Sequence, residues 1–430
     1  MRFGGERRRI AIACQGGGSH TAFTAGVLKR LLGDGAVRSR NEIVGFSGTS
    51  GGAICALLAW YGLADEDEER PGQLLEEFWT DNSARAPHEQ LLNTWTLWAG
   101  AVQNVVAMPA VSPYANPFTM VAPAELRRLL TRHVNFDALP TAVGDPILLV
   151  GAVDVLTGEF KAFDSRRDRI SVEAILASAA IPTLFRSVHL DGGVYWDGLF
   201  SQNPPVRELI DARPDEIWVI PINPTRLETQ PRSAVEIADR RNELSGNLSL
   251  HQELHFIEKI DQLLEEGALA SDGRFHSIVV RVIELSRSEL SGALGPTSKL
   301  NRDPAFIGGL IAHGQSRAGE FLTALAFEAA WRAGDIDTTV AFLSDDISIE
   351  SHAPFPERGA VRGRVMAERL VREHLAAGTK IDVTRKQVAG ERVTWSARWH
   401  PRDVPAPLQG EIVAQFDGDR VLSMRLAATS

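Results

Sequence analysis

Between Ile43 and Trp60 a short apolar strand, a glycine-rich turn and a helix with no polar face follow one another, and no other stretch restricts the fold as tightly. Ile43 to Phe46 has strand length. Ala53 to Trp60 is apolar on every side, the mark of a helix enclosed within a domain. The first 320 residues go on alternating in this way. Ile10 to Cys14 reads as a strand, Phe23 to Leu32 as a helix stopped by Gly33, and Ile147 to Val155 as a strand before the turn Thr157-Gly158. Ile217 to Ile222 and Ile278 to Ile283 read as further strands, with an amphipathic helix between them marked by Leu250, Leu254, Ile257, Leu263 and Leu264. Strands alternating with helices predict an α/β domain with a mainly parallel sheet, over residues 1–321.

The character changes near Phe321. Helical patterns at Thr323–Arg332, Ile336–Leu343 and Arg364–Leu375 lead into strand-like runs at Ile381–Gln387, Val393–Trp399, Gly410–Phe416 and Arg420–Leu426. That order predicts a separate α+β domain over residues 322–430. From Trp331 onward 14 Lys+Arg balance 14 Asp+Glu, so the front of the chain carries the whole net charge of −10. An excess of negative charge argues against a nucleic-acid partner. Hydrophobic residues at 44% and charged ones at 23% exclude disordered, collagen-like and coiled-coil chains. Cys14 and Cys55 sit in apolar runs without metal or disulfide spacing, which fits a reducing compartment. The five apolar residues Ile10 to Cys14 are too few for a signal peptide. Gln90 to Ala124 lacks any charge, but Gly100, Pro109, Pro113 and Pro117 break it before membrane-spanning length. We expect a cytoplasmic protein with transient contact to a membrane surface.

Three constellations carry chemistry. Gly48-Thr49-Ser50-Gly51-Gly52 is a G-x-S-x-G between strand and buried helix, where a sharp turn exposes the hydroxyl and Gly48 and Gly52 spare the clash of Cβ atoms. Gly16-Gly17-Gly18, between the first strand and first helix, leaves successive N–H groups to converge on an anion. The dinucleotide spacing fails there at Thr21, and the Walker pattern lacks its Gly-Lys. An oxyanion hole for Ser50 is the better use. A serine also needs a base. Asp191-Gly192-Gly193 and Asp197-Gly198, followed by Asn203-Pro204-Pro205, supply two candidate aspartates in Asp-Gly turns.

Taken together, QGGGSHTAFTAGVL (15–28), GTSGG (48–52), ASAAIPTLFRSV (177–188) and YWDGLFSQNPP (195–205) resemble the ordered blocks of patatin-like phospholipases. The resemblance spans about residues 8 to 320. It implies a three-layer α/β/α fold and hydrolysis of lipid acyl esters by a Ser–Asp dyad without histidine or cofactor. Ser50 is then the nucleophile, Asp197 the base, and Gly16, Gly17 and Gly18 the oxyanion hole. Such an aspartate serves as base and acid in turn, so it belongs partly buried, one hydrogen bond from the serine. Asp197 follows two aromatics that would desolvate it; Asp191 would hold its own turn, at a stability cost of about 1–3 kcal/mol if a buried bond is lost. Where the family carries Asp and an Arg–Gly pair, this chain has Gln15, His20 and Thr21, so a cation near the site is missing, and His20 is its candidate substitute.

Residues 322 to 430 resemble the SnoaL-like, nuclear-transport-factor-like cone family through AWRAGDIDTTVAFLSDDISIE (330–350), the loop Gly359–Gly363 and the strands with Trp395 and Trp399. That resemblance implies a conical pocket and dimerisation through the sheet, with Asp346, His352 and His400 as polar candidates. Two readings stay open beside lipid ester hydrolysis. One is acyl transfer to another alcohol; the other is a non-catalytic lipid-binding protein whose cone domain does the recognition. His251 and His255, four apart on a helix, lack a third metal ligand. The stripe Trp95, Trp98, Val102, Val105 and Val106 suits core packing, the acyl site or a membrane surface equally.

Overall fold

The computed structural model describes residues 7–65, 67–103, 112–115, 119, 121–139, 146–182, 184–227, 229–270, 275–285, 294–295, 297–352, 359–376, 380–389, 392–400 and 408–428. The chain divides into two compact units, Met1–Ile278 with Leu290–Gln315 and Val279–Glu289 with Ser316–Ser430.

The first unit runs β1 (Arg8–Cys14), α1 (Ala22–Leu32), α2 (Gly35–Arg40), β2 (Asn41–Thr49), α3 (Gly51–Gly62), α4 (Arg70–Asn82), α5 (Pro87–Gln103), α6 (Val121–His133), β3 (Ile147–Asp154), β4 (Phe160–Asp164), α7 (Val172–Ser178), β5 (Val188–Leu190), β6 (Gly193–Asp197), β7 (Glu216–Ile220) and α8 (Ala234–Glu265). Strands β7, β1, β2 and β3 lie side by side and parallel. Ile10 to Cys14 are wholly buried, as a central strand covered on both faces must be. Every residue of α3 except Tyr61 is buried too, which is why that helix has no polar face. It packs on β2 and against α1 and α4.

The far end of this sheet is antiparallel and positions the site. β2 pairs with β3 from Ile147 to Gly151, while β4 pairs from Leu149 to Val153, so these two occupy opposite edges of β3. β6 pairs with Ala152 to Asp154, overlapping β4, and therefore continues the edge that β2 leaves at Gly151. Thr49 stands opposite Gly151 and Asp197 opposite Ala152. The last residue of β6 thus sits one step beyond the last residue of β2.

Helix α9 (Pro304–Ala333) gives its first turns to this unit and the remainder to the second. In the first unit it meets α1 backbone to backbone: a Cβ on Gly26 would overlap the Ile311 carbonyl, and one on Gly314 the Phe23 carbonyl.

The second unit adds β8 (Val279–Ile283), α10 (Ile336–Ala341), β9 (Leu343–Ser351), β10 (Gly359–Arg362), α11 (Arg364–Ala376), β11 (Lys380–Ala389), β12 (Arg392–His400), β13 (Leu408–Asp417) and β14 (Arg420–Ala428). β8, grouped from the sequence with the α/β strands, pairs in parallel with β11. β11 to β14 form an antiparallel meander, and β14 runs parallel to β9. Phe327, Trp395 and Phe416 meet in the core. Beside them Arg281, fully buried, holds the Glu328 carboxylate at 2.8 Å and 3.0 Å. Burial would raise this carboxyl, but the charge and hydrogen bonds of Arg281 outweigh it, and Glu328 falls to about 2.

Candidate active site

Ser50 stands alone between β2 and α3, at φ 57° and ψ −128°, a conformation rarely adopted by a residue with a Cβ. Its surroundings hold it there. The Ser50 N–H donates to Ser178 Oγ at 2.9 Å, and the Ser178 hydroxyl donates to the Gly151 carbonyl at 2.6 Å. Thr49 Oγ1 donates to the Gln202 carbonyl at 2.7 Å. A Cβ on Gly48 would come within 2.5 Å of the Gly52 carbonyl oxygen, and one on Gly52 would overlap the Cys14 carbonyl. Both glycines of the turn are required by the closeness of backbone, not by flexibility. The N-terminus of α3 points its dipole at Ser50.

Gly16, Gly17 and Gly18 lie against this turn; a Cβ on Gly16 would stand 2.9 Å from Ser50 Cβ. Their N–H groups are not equivalent. Gly16 donates to Asn203 Oδ1 at 2.7 Å, so its N–H is already taken and it departs from the expected set of three. Gly17 and Gly18 donate to no other group among the described residues. Gly18 adopts φ 59°, which turns the chain into α1.

Asp197 is 1% exposed. Its Oδ1 accepts the Leu199 N–H at 2.8 Å, and its own N–H donates to the Ala180 carbonyl. Burial drives the carboxyl up to about 7, against the hydrogen bonds of the Leu199 N–H and the Ser50 hydroxyl, which favour the ionised form. Asp191 is elsewhere. It is exposed at the tip of the β5–β6 hairpin with φ 49°, and Gly192 follows at φ 85°. Positive φ at both positions of a two-residue hairpin turn is what Asp-Gly favours. Asp191 carries no buried bond, so the stability role expected for it is absent.

A cavity of about 250 Å³ brings these groups together. Ser50, Asp197 and the three glycines line it with Ile181, Leu184, Leu199, Val235 and Leu300. Sequence reading missed Gln15 and Ser178 as supports. Gln15 is fully buried; its Oε1 accepts the Ile222 and Asn223 N–H groups at 2.7 Å and 2.8 Å, and its Nε2 donates to Asn247 Oδ1 at 3.0 Å. Their only signal was a polar residue set in an otherwise apolar block.

His20 is buried, and its Nε2 lies 2.7 Å from Ser298 Oγ. It ties the glycine loop to the 3-10 turn Thr297–Leu300 and does not line the cavity. His251 and His255 are exposed on α8. Trp95 and Trp98 are 61% and 56% exposed, which removes the core-packing reading of their stripe; Val105 and Val106 lie outside the described residues. In the second unit Asp346 and His352 are exposed on and beside β9, and the side chain of His400 lies outside the described residues.

Among the described residues no helix is long and apolar enough to cross a membrane. Over its C-terminal region the chain is similar to solved NTF2-like proteins of unknown function. One from Cytophaga hutchinsonii is 10% identical and covers 25% of this chain and 87% of its own, with a TM-score of 0.22. Another, from Mesorhizobium loti, is 19% identical, covering 26% and 92% with a TM-score of 0.24. An LEH-like epoxide hydrolase of M. tuberculosis is 22% identical over 25% and 80%, with a TM-score of 0.22. No curated protein matches the chain. Residues 12–210, which hold the serine turn, the glycine loop and Asp197, match the family model of patatin-like phospholipases.

Proposed function

We propose that the chain hydrolyses carboxylic esters of lipids with Ser50 as nucleophile, Asp197 as its base and the Gly17 and Gly18 N–H groups as the oxyanion hole. The observation that carries this reading is the meeting of a strained serine, a buried carboxyl with an affinity for protons near neutrality, and two unspent N–H donors in one cavity. Asp197 takes the proton from Ser50 Oγ as Oγ attacks the carbonyl carbon, and the electron pair displaced onto the carbonyl oxygen is held by the two N–H groups. Collapse breaks the ester C–O bond, and the alcohol leaves with the proton from Asp197. Water then attacks the acyl-serine, Asp197 again accepting a proton and returning it to Ser50. A carboxyl near 7 suits both directions of that transfer. The test is reaction with a fluorophosphonate and hydrolysis of p-nitrophenyl butyrate: Ser50→Ala should abolish both, and retention of normal hydrolysis would overturn the reading.

Contact with a lipid surface belongs to the same proposal. Leu91, Leu92, Trp95 and Trp98 are exposed on α5, in a stretch without charge from Gln90 to Ala124. Through Asn93, which bonds Asn301, and Gly100, which abuts Thr297, α5 packs on the turn that carries the cavity-lining Lys299 and Leu300. Wild type should sediment with phosphatidylcholine vesicles, and the double variant Trp95→Ser, Trp98→Ser should not.

A further inference from the structure

The charged groups around the Ser50 cavity bear on which esters it admits. Among the described residues of its lining they are Asp197, Asp239, Glu243 and Lys299. Lys299 Nζ lies 2.7 Å from Asp239 Oδ1 and 3.3 Å from Glu243 Oε1, so the one cation of that lining is already shared between two carboxylates. Arg240, next to Asp239 on α8, donates to the Pro224 and Thr225 carbonyls and to Glu243 Oε2, outside the lining. The clamp stands close to the reacting centre. A Cβ on Gly18 would overlap the Lys299 carbonyl, which places the turn bearing the lysine against the glycine loop.

We infer that Asp239, Glu243 and Lys299 act as a charge filter that selects acyl esters with an uncharged alcohol part, such as monoacylglycerols, over esters bearing a phosphate. The inference rests on the hydrolase reading of Ser50 and Asp197. A phosphate brought beside Ser50 must either face Asp239 and Glu243 or draw Lys299 away from them. The second course takes Lys299 from both carboxylates at once and removes one of the two cations that hold Glu243, whose side chain is 2% exposed, leaving it Arg240. A glycerol hydroxyl meets no such conflict. It can donate to either carboxylate and accept from Lys299 while the clamp stays closed.

The test compares 1-oleoylglycerol with 1-oleoylglycerol 3-phosphate in the same neutral detergent micelles, substrates that differ only by the phosphate. The full chain should favour the uncharged ester in kcat/KM by about tenfold or more. Asp239→Asn, which releases Lys299 from one carboxylate, should shrink that ratio at least several-fold, and Lys299→Met should widen it. Raising salt from about 0.05 to 0.5 M should shrink the wild-type ratio as well, which tests the filter without any variant. Equal or faster cleavage of the phosphate ester by wild type overturns the inference. So does a ratio that neither Asp239→Asn nor salt changes, or turnover of p-nitrophenyl butyrate with none of either oleoyl ester. Cleavage of both oleoyl esters that persists in Ser50→Ala would instead sink the reading of the serine.

Discussion

The side-chain carbonyl of Asn203 accepts the Gly16 N–H at 2.7 Å, tying the loop after β6 to the loop after β1. Asn203 is fully buried, so the bond is not shared with bulk water. It withdraws one N–H from the glycine loop and fixes the neighbours that remain. Asn203→Ala should lower kcat on a soluble ester by about 10–100-fold with a much smaller change in KM, because misplacing donors weakens transition-state binding more than substrate binding. Asn203→Asp keeps an acceptor at the same atom and should recover part of the loss. A thermal melt separates this effect from unfolding. Equal losses for the two variants would show that the acceptor is not what matters.

The two Asp-Gly turns now have different expected outcomes. Asp197→Asn should reduce turnover by about 10⁴-fold, near the effect of Ser50→Ala. Asp191→Asn should leave kcat unchanged and stability within about 0.5 kcal/mol, since the residue is exposed and Asn tolerates positive φ as well as Asp does. Steady-state kinetics and denaturant unfolding of both variants decide it.

Asp197 also sets the pH response. As a base it must be ionised, so kcat/KM on a soluble ester should rise with pH through about 7 and then level off. The stability trend has the opposite sign. Between its ordinary carboxyl value and about 7 the folded chain keeps a proton at this site that the unfolded chain has lost, so this group's contribution falls as pH rises across that window. Asp197→Asn removes the effect. Measured by unfolding, the variant should gain on wild type from pH 4 to 8, by at most about 4 kcal/mol at ~1.4 kcal/mol per unit. A difference that does not vary with pH would contradict the buried, proton-holding aspartate.

Glu328 behaves the other way. Its carboxyl is held at about 2, so its contribution is present above the ordinary glutamate value and fades as pH falls toward 2. Glu328→Gln removes the carboxylate that lies 2.8 Å from the buried Arg281 guanidinium and should cost about 3–5 kcal/mol at neutral pH. The penalty should narrow in acid. Unfolding of the second unit, followed by Trp fluorescence, reads both.

The elements that hold the site were legible because each is local. A strand, a glycine turn and a helix apolar all round need no knowledge of distant residues, and Ser50 follows from them. Which aspartate meets Ser50 was harder to read, because it depends on a pairing offset: Asp197 reaches Ser50 because β6 resumes the edge of β3 where β2 stops. Hydrophobic alternation does not report such an offset between strands so far apart in sequence. The exposure of Trp95 and Trp98 was illegible for a related reason, since a helical stripe looks the same whether it faces a core or open solvent. Gln15 lay beyond reach because its four partners come from two separate loops and a helix.

Where α1 meets α9, Gly26 and Gly314 bring main chain against main chain. Elsewhere in a protein a bulkier residue can be answered by trimming a neighbour, because side chains absorb the intrusion. Here each obstructing atom is a carbonyl group, and every amino acid has the same one. No substitution at Ile311 or Phe23 can therefore make room, and a genetic screen starting from an alanine at either glycine should return true revertants without second-site suppressors at those contacts. Two positions 288 residues apart in sequence are each barred from drifting, and neither can be released by changing the other.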